Sequence, residues 1–276
     1  MFYVVRTKIV FGFFFILMSF ASAWAGADTP SLNFDIRRVL STLSPTMIPN
    51  SPEKIFTVLM RSRVQTQILI KDHIYISNQV ALSRARSESR AIRKEITRDL
   101  LFLSSAFEDP ALASSIHIIN ANVERIESLM RMPYTPQNLT VILYNGTMVS
   151  DGLLQLARVI YKKQNDHGMY RLDELRMALI NVAEAYLFVH DNHKKLLRVM
   201  PKLKPSLARF EKAFGRLDSS SSIPSKAQRY LIDARHLWQA INTLCSDAQV
   251  GDLPSIIFRT TAKLDKELIR YFEEMN

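Results

Sequence analysis

One cysteine, Cys245, stands in a chain of 276 residues. A single thiol cannot close an internal disulfide, form a CxxC redox pair or build a thiolate metal cluster. In the run LWQAINTLC it reads as a small buried apolar residue. Glycine is also scarce, at 7 residues, and from Glu53 to Phe107 there is neither Gly nor Pro. That excludes the turn-rich pattern of sandwiches and barrels and favours long helices. Reaction signatures are missing too. There is no Gly-x-Ser-x-Gly, no His-Glu-x-x-His, no phosphate-binding loop and no paired-carboxylate signature. The chain therefore reads as non-catalytic, with no cofactor.

Lysine and arginine outnumber the acidic residues, for a formal net charge of +10. A basic surface favours anionic partners: acidic protein faces, lipid headgroups or small anions. No nucleic-acid-binding motif accompanies the charge, so nucleic acid is not expected among them.

Residues 1–27 have the pattern of a secretory signal peptide. Arg6 and Lys8 make a positive start, Ile9 to Phe20 is apolar, and small residues from Ala21 to Ala27 offer several A-x-A cleavage points. The apolar run is short of the ~20 residues that span a bilayer. Its removal leaves a net charge of +8 (10 − 2, for Arg6 and Lys8). The expected location is the periplasm. Residues 28–52 form an N-terminal segment and a linker, with Pro45, Pro49 and Pro52 as punctuation.

The remainder reads as all-α, in two antiparallel helical modules, 53–168 and 169–276. Up-down modules of this kind bury one stripe of each helix. Glu53 to Phe107 is expected as one long helix or two nearly continuous ones. Ser83 to Arg90, reading SRARSESR, is its solvated stretch. Asp109-Pro110 starts the next helix, to about Arg131. Thr135-Pro136 starts another, to about Lys163, with Asn145-Gly146 as a weak point for a kink. In the second module, helices are expected from Tyr170, from Pro205 to Leu217, from Ser225 to Cys245 and from Ser255 to Glu274.

The modules resemble each other. Arg63 to His73, reading RVQTQILIKDH, stands 113 residues (176 − 63) before Arg176 to Tyr186, reading RMALINVAEAY. Asn120-Ala121 stands at the same spacing before Asp233-Ala234, which sets Ile126 opposite Gln239. Ser150, Leu153 and Ala157 precede Thr261, Leu264 and Leu268 by 111 residues (261 − 150). Near-constant spacing suggests a tandem duplication.

RMALINVAEAYL, Arg176 to Leu187, resembles the stretch that opens the sensor domain of type IV pilus chemoreceptors, the PilJ-type N-terminal domain. Through Leu175-Arg176-Met177 it is also similar to the sensor region of nitrate/nitrite histidine kinases. Arg63-x-x-Thr66-Gln67-x-x-x-Lys71 looks like a second copy. Phe210-x-x-x-Phe214-x-x-Leu217 and the Trp238 helix resemble later features of the family. The likeness implies a periplasmic helical sensory bundle, often tandem. In the nitrate-sensing relatives the Arg before Met binds the anion, which carries a ligand-binding role to Arg176 and, through the second copy, to Arg63. Guanidinium offers a planar fork of donors suited to such an anion. Where the family is polar after Arg-Met, this chain has Leu179-Ile180-Asn181.

His190 and His193 stand one turn apart but bring no third ligand, so they read as surface histidines rather than a metal site. His117 and His236 read as half-buried structural residues. The expected function is that of an exported sensor-like or adaptor bundle. It binds a possible small anion and passes a signal to a membrane-bound sensor or other envelope protein. The alternative is a basic envelope protein that binds the membrane surface or another anionic polymer.

Overall fold

The computed structural model describes residues 52–160, 168–190, 202–217, 223–246 and 253–275. All of them belong to one compact unit, Val39–Asn276. The expected signal peptide, the expected linker as far as Ser51, and the His190 and His193 side chains lie outside the described residues. Eight helices and the short turns between some of them occur among the described residues, and no strand does. The chain is an all-α bundle.

The helices are α1 Pro52–Ser77, α2 Leu82–Ala106, α3 Pro110–Met130, α4 Pro136–Ile160, α5 Gly168–His190, α6 Leu203–Gly215, α7 Ser225–Ser246 and α8 Leu253–Met275. Their starts follow from local chemistry. The Asp109 carboxylate accepts from the backbone N–H groups of Ala111 and Leu112, both at 2.9 Å, with Pro110 as the first helical residue. Thr135 Oγ1 accepts from the Asn138 N–H at 3.1 Å to open α4.

Three expectations need correction. Glu53 to Phe107 forms two helices, but not nearly continuous ones: the chain folds back on itself between them. The turn after α1 holds Gln79 (φ 58°) and Ala81 (φ 48°) in left-handed backbone, so α1 and α2 run antiparallel. Arg61 reaches Asp99 and Gln65 reaches Glu95 across them. Second, α4 passes unbroken through Asn145-Gly146. Gly146 is a contact point: a Cβ there would lie 2.2 Å from Ile70 Cδ1. The missing side chain lets α4 approach α1, and Gln67 Nε2 donates to the Gly146 carbonyl at 2.9 Å. Third, His117 and His236 are exposed.

α1 packs against α2, α4 and α5, while α5 packs against α6, α8 and α1. The two are buried nearly all round, which places them centrally. They run parallel: Arg63 pairs with Asp173, and one helical stretch later the Tyr75 hydroxyl donates to the Ala183 carbonyl at 2.8 Å.

Burial repeats from half to half. Ser150, Leu153 and Ala157 in α4 are buried, and so are Thr261, Leu264 and Leu268 in α8. In α3 the buried residues include Leu112, Ile116, Ile119 and Val123; in α7 they include Ala227, Leu231, Ala234 and Trp238. Their separation is 115 residues (227 − 112). The expected register of 113 fails in this pair of helices, because it sets buried Ile126 against exposed Gln239. A shift of two residues turns a helix face by about 200°, so burial decides the register.

Candidate functional site

A central helix that is buried on every side must satisfy each of its polar side chains inside the protein. α1 carries Arg61, Arg63, Gln65, Lys71, Asp72 and Tyr75, and α5 carries Asp173, Arg176 and Glu184. Arg63–Asp173 and Tyr75–Ala183 tie the two halves together, while Arg61–Asp99 and Arg176–Asp265 each stay within one half.

Arg176 binds a carboxylate, though an internal one. Its Nε donates to Asp265 Oδ1 at 2.6 Å and its NH2 to Asp265 Oδ2 at 2.9 Å. This two-point fork joins α5 to α8, with side chains 13% and 22% exposed. Arg63 has a comparable arrangement. Its Nε donates to Ser150 Oγ on α4 at 3.0 Å, and its NH1 donates to Asp173 on α5. Burial pushes the Asp173 carboxyl up to about 6, against the pull of Arg63 and Arg176. Thus the two arginines flank one buried acid.

Lys71 is the hub of a second group. Its Nζ lies 3.3 Å from Asp72 Oδ1, 3.5 Å from Glu88 Oε2 and 4.6 Å from the centre of the Phe258 ring. Burial opposes its charge, but Asp72, Glu88 and Asp265 outweigh that cost and raise its pKa. Lys71 is therefore held as an ammonium ion, which is not a nucleophile. Glu184, 3% exposed, has no hydrogen-bond partner at Oε1. Burial drives its carboxyl up to about 8, with Lys71 pulling the other way. Asp72 is also pushed to about 8 by burial, again opposed by Lys71.

A small cleft opens over these groups. Arg176, Leu179, Ile180 and Ala183 of α5 line it with Ile68 and Lys71 of α1, Glu88 of α2, and Thr261, Ala262 and Asp265 of α8. It holds about 20 Å³, room for one water molecule. Two cations and two carboxylates face it, so it is neutral when Arg176 and Asp265 are paired. A larger anion would enter only in place of the Asp265 carboxylate. Arg176 lines the cleft; Arg63 does not. Thr261 Oγ1 is turned back onto the Ile257 and Phe258 carbonyls of its own helix, so it offers the cleft no activated hydroxyl. Among the described residues no three His, Cys, Asp or Glu side chains are grouped to hold a metal ion. Cys245 is buried, and burial pushes its thiol up to about 12.

The sequence reading had not singled out Asp72, Glu88, Glu184 or Asp265. A signal was present: Lys71 and Glu184 interrupt apolar runs 113 residues apart (184 − 71), at the same spacing as Arg63 and Arg176. No family model matches the chain, and neither a curated protein nor a solved structure does.

Proposed function

We propose that this chain is an exported, non-catalytic sensor module whose cleft reads a small anion and whose helices pass the change to a membrane-bound partner. The Arg176–Asp265 fork carries this reading. It is an arginine site already filled by a carboxylate from the neighbouring helix. An external anion that takes over the fork releases Asp265, and with it one tie between α5 and α8. Binding and a change in helix packing are then the same event. The resemblance of Arg176–Leu187 to the PilJ-type sensor domain supports a sensory role. The segment at 1–27, with its signal-peptide pattern, supports export to the periplasm.

Competition makes a specific prediction. Removing the internal carboxylate without moving Arg176 raises affinity for an added anion. Removing Arg176 abolishes binding. The test is a thermal-shift screen of residues 28–276 against nitrate, nitrite, small carboxylates and phosphate, run on the wild type, Asp265→Asn and Arg176→Ala. A ligand that binds the native state raises the midpoint by RT ln(1 + [L]/Kd) in free-energy terms, so weak binders register at high concentration. The expected result is one anion class whose shift grows in Asp265→Asn and vanishes in Arg176→Ala. Equal shifts in all three proteins would mean that binding occurs elsewhere and would remove this reading.

A further inference from the structure

The charges of α2 are sorted by face. Its three acidic side chains point inward, Glu88 to Lys71, Glu95 to Gln65 and Asp99 to Arg61. Its outward face carries Arg86, Arg90, Lys94 and Arg98, four residues apart and all exposed, with no acidic residue among them; Arg98 Nε also lies 3.6 Å from Asp99 Oδ1. Four cations at this spacing form one line about 18 Å long on a helix. Like charges at i, i+4 repel, so the line costs stability in the absence of an anion.

α8 repeats the arrangement. Asp265 is turned to Arg176, while Arg259, Lys263, Lys266 and Arg270 are exposed. Glu267 pairs with Arg270 at 3.0 Å, and Glu273, at the end of the helix, is the one exposed acid. Both helices border the same cleft, α2 through Glu88 and α8 through Asp265. The cleft is where the two helices come near each other, α2 resting on α1 and α8 on α5. The exposed face of α4 differs: it carries Tyr144 and Thr140 with one acid, Asp151, and one base, Arg158. That of α3 mixes Glu124 with Arg125.

We propose that the α2–α8 face docks onto a membrane surface rich in anionic lipid. An acidic peptide helix would engage one line of cations. Two lines on separate helices that come near each other at the cleft call for an extended partner of opposite charge, which a bilayer surface is. The apolar faces of both helices are spent on the core. Leu101, 71% exposed, and Ile256, 45% exposed, are the large apolar side chains these helices leave outside. Attachment is thus electrostatic, without insertion of a helix. This inference does not depend on the anion reading of the cleft, since none of its eight cations lines it.

The test is co-sedimentation of the full chain with phosphatidylcholine vesicles, with and without phosphatidylserine, beside soluble polyglutamate as a second probe. Three double variants each reverse two charges: Arg90→Glu with Lys94→Glu on α2, Lys263→Glu with Lys266→Glu on α8, and Arg209→Glu with Lys212→Glu on α6. All six residues are exposed, and circular dichroism checks that the variants fold. The expected result is binding to phosphatidylserine vesicles alone. It is lost as salt rises from about 50 to about 500 mM, reduced at least tenfold by the α2 and α8 pairs, and kept by the α6 pair. An equal loss with the α6 pair would show that net charge alone is at work and overturn the assignment. So would binding to polyglutamate without binding to vesicles, vesicle binding indifferent to the α2 and α8 pairs, or no vesicle binding at low salt.

Discussion

Arg176 and Asp265 face each other across α5 and α8 with both donors of one guanidinium edge matched to both oxygens of one carboxylate, at 2.6 and 2.9 Å. They stand 89 residues apart in sequence, so the pair is a tertiary lock and no part of helix formation. Breaking a fully buried pair costs ~3–5 kcal/mol. With Asp265 still 22% exposed, Asp265→Asn is expected to cost about 2 kcal/mol. A double-mutant cycle with Arg176→Ala, followed by urea unfolding, should return a coupling of about 1–3 kcal/mol. Additive single effects would show that the fork contributes no net stability.

Glu184 predicts a dependence on pH. Its native carboxyl titrates at about 8, against an ordinary value of 4.5. Between those values the native state holds a proton that the unfolded chain has released. Stability is therefore fully present below about 4.5 and is lost as pH rises through 8. The limiting slope is about 1.4 kcal/mol per pH unit for each such group. Asp72, at about 8 against 3.8, acts in the same direction. Glu184→Gln stays neutral throughout. It should flatten the fall in melting temperature between about pH 5 and about pH 8.5 by close to one proton's worth. A Gln variant that keeps the whole slope would place the titration elsewhere.

Gly146 predicts a coupling between α1 and α4. Alanine favours the helix interior by about 1 kcal/mol over glycine. Here its methyl would sit 2.2 Å from Ile70 Cδ1, on a side chain that is fully buried. Overpacking of this kind costs about 1–3 kcal/mol. Gly146→Ala should therefore destabilise, by about 1 kcal/mol net. Ile70→Val removes the clashing methyl, at a cost of ~0.5–1.5 kcal/mol by itself. In the double variant the helical gain of alanine reappears, so the two changes together should cost less than their sum. Chemical denaturation of the four proteins decides it.

Helix positions were legible because apolar residues at 3–4 spacing and Pro-initiated starts are local signals. Asp109-Pro110 and Thr135-Pro136 mark two helices to within a residue. Arg63 and Arg176 were legible as a repeated pair, but their partners were not. Asp173 and Asp265 lie 110 and 89 residues away in sequence, and nothing local says which carboxylate a buried arginine will meet. The register of α3 against α7 was missed for a related reason: two matching residues outvoted four burial positions that only packing reveals. Gly146 looked like a defect because its use, the close approach of Ile70, belongs to another helix.

The turn between α1 and α2 was hard to see because it contains no glycine or proline, and its one local signal is Asn78, whose amide donates to the Ile74 carbonyl at 2.9 Å. Residues 78–81 read Asn-Gln-Val-Ala, and Ala81 enters α2 at φ 48° and ψ 34° with no side-chain cap. A residue with a Cβ pays about 1–2 kcal/mol to sit in the left-handed region, and glycine does not. Glycine gives back ~0.4–1 kcal/mol of that through the greater freedom of the unfolded chain. The Ala81 methyl also packs partly buried against the core, so Ala81→Gly should raise stability by no more than about 0.5 kcal/mol, what is left of the difference of those two effects. Val80 supplies the contrast. Its φ is not positive, and its side chain packs partly buried against the core. Val80→Gly gains nothing from conformation and loses that packing, so it should destabilise. Melting temperatures of the two variants measured side by side separate relief of backbone strain from general loosening of the turn: opposite signs support strain, and a common fall refutes it.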